Sequence, residues 1–157
     1  MILSKTKNSL AIGKIKGNSQ NGAIGGTAII VNENNPKITN LTATFTQEKQ
    51  QVSYTLYIHN SGEKEAYLEN IIYENVEGRN NTKYCYNEKK EILSCENIFV
   101  ETDINNLKVN GSTASIHDVI LEAGKYFEIT ITIYNNENTQ GEVNVILGNI
   151  CFVYDDK

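Results

Sequence analysis

A chain of 157 residues with 39% hydrophobic and 21% charged side chains is too apolar for disorder and long enough to bury one core without a metal or a dense set of disulfides. Its 19 acidic and 14 basic residues, net −5, are interspersed along the chain. They argue for a solvated surface rather than a polyanion-binding face, so nucleic acid is not an expected partner. No apolar run approaches the roughly 20 residues of a membrane span.

Asn supplies about one residue in seven, against one Pro, one Met and no Trp. Turns are therefore built from Asn and Gly, which tolerate left-handed backbone, while Val, Ile, Thr and Tyr fill the segments between them. The opening MILSKTKNSL has no apolar h-region, so this numbering is expected to carry no secretory signal. Up to about Val31, AIGKI and NGAIGGTAIIV read as two modest strands joined flexibly. After Pro36, Ile38, Leu41, Ala43 and Phe45 recur at near-alternate positions, a strand with a bulge that ends in a turn at Gln47 to Gln50.

VSYTLYIHN alternates strictly, with Val52, Tyr54, Leu56 and Ile58 on one face and Ser53, Thr55, Tyr57 and His59 on the other; it predicts a core strand. Beyond a turn at Asn60 to Gly62, AYLENIIYENV offers Ala66, Leu68 and either Ile71 or Ile72 to the core, and the doubled Ile suggests a bulge or a single helical turn. The pattern weakens between Glu77 and Asp103. Asn110-Gly111 predicts a hairpin between LKV and STASI. Glu122 to Lys125 then forms a turn into a second core strand, with Phe127, Ile129, Ile131 and Ile133 alternating with Glu128, Thr130 and Thr132. In EVNVILGNICFVYDD, Val143, Val145, Leu147 and Cys151 alternate with Asn144, Ile146, Ile150 and Phe152. Both faces are apolar, so this strand is expected to be central, with Gly148 marking a bend or close approach. The whole predicts a single all-β domain over 1–157: an immunoglobulin-like or jelly-roll sandwich of eight to ten antiparallel strands, with 1–31 as a flexible N-terminal strand segment.

Three landmarks occur in order: NSGEKEAYLENI, LEAGKYFEITITIY and EVNVILGNICFVY. Together they resemble the secreted β-sandwich proteins of Gram-positive bacteria that include the TasA and camelysin biofilm-matrix group, from about Ala11 to the C-terminus. Asn60, Gly62, Leu121, Ala123 and Gly124 stand at the matching turn positions. The resemblance implies a secreted or cell-surface structural protein that self-associates, forming a homo-oligomer or fibre by strand exchange.

Cys85 and Cys95 enclose the charged loop YNEKKEILS, which a disulfide would order; the alternative is two unpaired thiols. Cys151, alternating with core residues, reads as a buried small hydrophobe. Three isolated cysteines and two distant histidines, His59 and His117, lack the spacing of a metal site, and no nucleophile signature or HExxH motif is present. Asp103 with Asn105 and Asn106 does not match a calcium loop. No catalytic residue, metal or cofactor is therefore expected. Tyr57, Tyr67, Tyr73, Tyr84 and Tyr86 form the candidate binding face for a glycan or a surface protein, since exposed aromatics stack on sugars and anchor interfaces.

Overall fold

The computed structural model describes residues 10–11, 15–16, 18–20, 23–31, 37–47, 49–60, 63–104, 107–109, 120–136 and 141–155. Regular structure among them is entirely β: β1 (Leu10–Ala11), β2 (Ile15–Lys16), β3 (Asn18–Gln20), β4 (Ile24–Gly25), β5 (Thr27–Val31), β6 (Lys37–Thr39), β7 (Thr42–Phe45), β8 (Gln50–Asn60), β9 (Ala66–Tyr73), β10 (Lys83–Tyr86), β11 (Ile92–Leu93), β12 (Ile98–Ile104), β13 (Leu107–Val109), β14 (Ile120–Leu121), β15 (Tyr126–Asn135), β16 (Val143–Leu147) and β17 (Ile150–Asp155). Every ladder is antiparallel. One layer runs β1-β8-β15-β12-β13, with β3 also on β8. The other is built on two long bent strands, β6 into β7 and β16 into β17, which pair with each other along both halves. β9 and β10 flank the far side of β17 and β16, and β14, β11, β5, β2 and β4 extend the margins.

β8 and β15 pair without a break from Gln50↔Asn135 to His59↔Tyr126. Their alternation sends Val52, Tyr54, Leu56 and Ile58 together with Ile129, Ile131 and Ile133 into one core, which β12 joins through Ile98 and Ile104. The second layer meets them with Ile38, Leu41, Ala43, Phe45, Val145, Leu147, Ile150 and Phe152. Of the contrasting residues, Thr55 and Thr130 are half-buried and Glu128 is exposed; the Phe127 side chain lies outside the described residues. The two layers are bolted at Tyr54. Its hydroxyl donates to Thr42 O (2.6 Å) and accepts from Gly26 N (3.1 Å) and Thr42 N (3.3 Å).

The number of strand segments exceeds the eight to ten expected because long strands are interrupted. Asn40, with φ 62°, breaks β6 from β7 and lets both Ile38 and Leu41 face inward. The Gly148–Asn149 step breaks β16 from β17. Gly148 lies against the backbone at Glu74, where an added Cβ would fall 1.9 Å from Glu74 O, and its own N–H donates to Thr82 O (2.9 Å). The close approach expected at Gly148 is therefore real. β9 carries its bulge at Glu69, ahead of the doubled Ile, where the register shifts opposite Val153/Tyr154; Ile71, not Ile72, is the core residue.

The same step at Gly148–Asn149 corrects the reading of Cys151. The inward frame passes from Val145 and Leu147 to Ile150 and Phe152, so Cys151 turns away from the core, half-buried and free. Strict alternation across residues 143–153 assumed one pleat, and the extra residue reversed it.

The N-terminal segment forms five short ladders rather than two strands. β1 and β3 add to β8, β4 adds to β7, β5 to β6 and β2 to β5, so the segment passes between the layers along one flank of the sandwich. The hairpin expected at Asn110-Gly111, together with His117, Asn105 and Asn106, lies outside the described residues. The turn at Asn60 and the turn before β15 meet. Buried Asn60 donates its Nδ2 to Leu121 O (2.9 Å) and Lys64 O (2.8 Å), and its carbonyl accepts from Gly124 N (2.8 Å). Asn60 thus ties the β8–β9 turn to the turn before β15; Gly62 lies outside the described residues.

Candidate binding surface

Cys85 and Cys95 form the disulfide. Cys85 points into the core from β10, so the bridge roots the 87–95 loop in the interior. The loop's tip is fixed by its own sequence: Asn87 Oδ1 accepts from Lys89 N and Glu91 N, both at 2.9 Å, and Lys90 takes the left-handed conformation the tight turn requires. On the other side of β10, Val76 N donates to Asn81 O and Arg79 N to Val76 O (both 2.8 Å), with Gly78 at φ 75° completing the turn. Two ordered loops therefore stand either side of β10, and between them lies a groove of about 660 Å³ lined by residues 78–85 and 92–96.

Since Cys85 faces inward, Tyr84 and Tyr86 share the outer face of β10, ring centroids 5.5 Å apart. The Arg79 guanidinium lies 4.1 Å over the Tyr84 ring and the Lys90 ammonium 5.1 Å over that of Tyr86. Such cation–π contacts contribute about 0.5–1 kcal/mol at exposed sites, enough to favour one placement of each cation. The neighbouring carboxylates bind elsewhere. Glu88 accepts from Glu142 N (3.0 Å), which holds its carboxyl below the usual range; Glu91 accepts from Asn87 Nδ2 (2.9 Å); Glu142 accepts from Asn144 Nδ2 (2.9 Å).

The other three tyrosines do not join this pair. Tyr57 projects from the outer face of β8, in the opposite layer, where its hydroxyl bonds Glu128 and is held above its ordinary pKa by that bond. Tyr67 on β9 donates to Glu65 (3.0 Å) and is raised for the same reason. Tyr73 is not a polar-face residue: it packs against the core and bonds Thr102 Oγ1 of the facing layer. The bulge in β9 is the physical reason, since it shifts the frame ahead of Tyr73. Close to that bond a second cavity of about 660 Å³ opens at the flank between β12 and the β9–β10 margin, lined among others by Tyr73, Lys83, Phe99, Glu101 and Tyr134. Lys83 donates across the layers to Ile98 O, and partial burial lowers its pKa.

His59 is half-buried on β8, and among the described residues no group of three or more His, Cys, Asp or Glu side chains is placed to hold a metal ion. No helix among them is long and apolar enough to cross a membrane. Arg79 and Lys90 are what residue-by-residue reading missed. The signal was available: each sits in a turn signature flanking the KYCY strand, at EGRN and NEKKE. Comparison with protein-family models, curated proteins and solved structures returned no match.

Proposed function

We propose that this chain is a non-catalytic extracellular surface or matrix domain that acts by self-association, through sheet edges rather than chemistry. The observation that carries the reading is the edge of β8. This eleven-residue core strand is met on its outer side by β1 at His59 and Asn60 and by β3 at Gln51 to Ser53. Between these two ladders the chain passes through β2, which packs near β8 but pairs with β5. Short ladders of two and three residues hold little individually, and an edge served by them accepts the equivalent segment of a second copy by the same backbone pairing. The turn likeness to the TasA and camelysin group and the disulfide, a bond characteristic of oxidising compartments, support the extracellular setting.

The test is deletion of residues 1–26 with light scattering of the full and shortened chains. The reading expects the full chain to form larger species and the deletion to stay small. Equal assembly by both, or no assembly by the full chain, overturns it. A second reading, a carbohydrate- or protein-binding module, is favoured by a separate observation: the tyrosine pair on β10 beside a groove. A glycan array distinguishes the two, since only the second expects a saturable small-ligand site.

A further inference from the structure

We infer that the groove beside β10 binds a glycan segment in which one sugar carries a carboxylate, with Arg79 receiving the acid and the polar side chains of the groove wall holding the neighbouring sugar. The inference rests on the binding-module reading and names its ligand class.

Arg79 carries the argument. Its planar guanidinium lies on Tyr84, and among the described residues it has neither a carboxylate nor a hydrogen-bond partner. The acids at the tip of the 87–95 loop, Glu88 and Glu91, and Glu142 beside them accept backbone or amide N–H groups. A guanidinium placed over a ring without a hydrogen-bond partner has its fork of N–H donors available to a planar carboxylate, which it meets by two parallel bonds. Beyond it the groove wall supplies amides and hydroxyls from Asn80, Asn81, Thr82 and Ser94, with Glu96 as an acceptor. Groups of this kind satisfy sugar hydroxyls.

Two features favour a glycan over an acidic peptide. The strand at this margin, β11, has only two residues, too short for an extended peptide to add by backbone pairing. The groove lining is also a mixture of polar and apolar groups rather than an apolar pocket for a side-chain anchor. A single carboxylate fits better than a polyuronate because the chain's net charge of −5 opposes a dense polyanion.

The experiment titrates the full chain calorimetrically with xylotriose bearing one glucuronate, with unsubstituted xylotetraose and with hexaglutamate. The glucuronate-bearing sugar is expected to bind saturably and to weaken with added salt. Arg79→Gln should lower its affinity about tenfold or more, and Arg79→Lys should also weaken it, because an ammonium lacks the bidentate fork. Lys125→Gln, on the distant turn before β15, should leave binding unchanged. Since Arg79 is exposed, unfolding curves of its variants should match the parent, which separates lost binding from lost folding. Equal binding of both sugars, insensitive to Arg79, overturns the acidic ligand while leaving a binding module. Hexaglutamate bound as tightly as the charged sugar makes the groove a receptor for acidic protein segments and overturns the inference. Binding of none of the three overturns both the inference and the reading beneath it.

Discussion

Replacing Gly148 by Ala tests the packing of the second layer at its most crowded point. The added Cβ would lie 1.9 Å from Glu74 O and 2.8 Å from both Glu74 C and Asn75 C. An ordinary carbon–oxygen contact is about 3.4 Å, so the Glu74 carbonyl would have to retreat by roughly 1.5 Å. It is not free to do so, because Glu74 N donates to Asn149 O (2.8 Å) and Asn149 Nδ2 donates to Glu74 Oε1 (2.9 Å), while Gly148 N donates to Thr82 O (2.9 Å). Overpacking costs about 1–3 kcal/mol and each backbone bond broken about another 1, so the substitution should destabilise by about 3 kcal/mol or more. Gly124→Ala is the control. Gly124 has φ 76° but nothing within 4 Å of the added atom, so only left-handed strain of about 1–2 kcal/mol applies. Urea unfolding followed by far-UV circular dichroism, suited to a chain without Trp, measures both. If Gly148→Ala unfolds at the same urea concentration as Gly124→Ala, the close approach of the 74–75 backbone to the kink is wrong.

Ile131→Ala should cost about 2–5 kcal/mol, since Ile131 is fully buried in the β15 face of the core, whereas Thr130→Ala on the opposite face should be nearly neutral; comparable losses in urea melts would mean the faces of β15 are reversed. Tyr54→Phe should cost about 2–3 kcal/mol, because it strips one acceptor and two donors of a buried partner; a melt within 0.5 kcal/mol of the parent, roughly the noise of such comparisons, would show that water replaces the hydroxyl. Removing both disulfide cysteines should cost about 2–3 kcal/mol in the chain-entropy account. In the intact protein, peptide mapping after thiol alkylation should find Cys151 as the labelled cysteine. Its labelling should be slow at neutral pH and speed up as pH rises, because burial and then Glu74 push the thiol's pKa up; rapid labelling at neutral pH would place Cys151 on an open surface.

The parts of the fold legible in the sequence are those where one face of a long strand is buried against another long strand. β8 and β15 share an unbroken register, so a two-residue period over nine or ten positions carries into the structure unchanged. The turn at Gly124 and the close approach at Gly148 were legible because only glycine satisfies those positions without strain. What the sequence obscured has a common cause in single-residue interruptions. The step at Gly148–Asn149 turned Cys151 outward, the bulge in β9 turned Tyr73 inward, and Asn40 split one strand into two. Each reverses or breaks the frame for every residue beyond it, yet leaves the local composition unaltered.

The candidate surface follows the same logic at one remove. Tyr84 and Tyr86 were legible as a pair because residues two apart on one strand share a face. Separating them from Tyr57 required knowing which layer each strand joins, which is decided by the crossing from β8 to β9, a tertiary event with no periodic signature; Tyr67 shares their layer but lies on β9, which pairs with β17 while β10 pairs with β16. Arg79 and Lys90 come from the turns on either side, so their meeting with the two rings depends on loop conformations fixed by Gly78, Asn87 and the disulfide together. A surface assembled from one strand and two turns is therefore visible in sequence only as its separate parts, and the strand supplies the rings while the turns supply the charge.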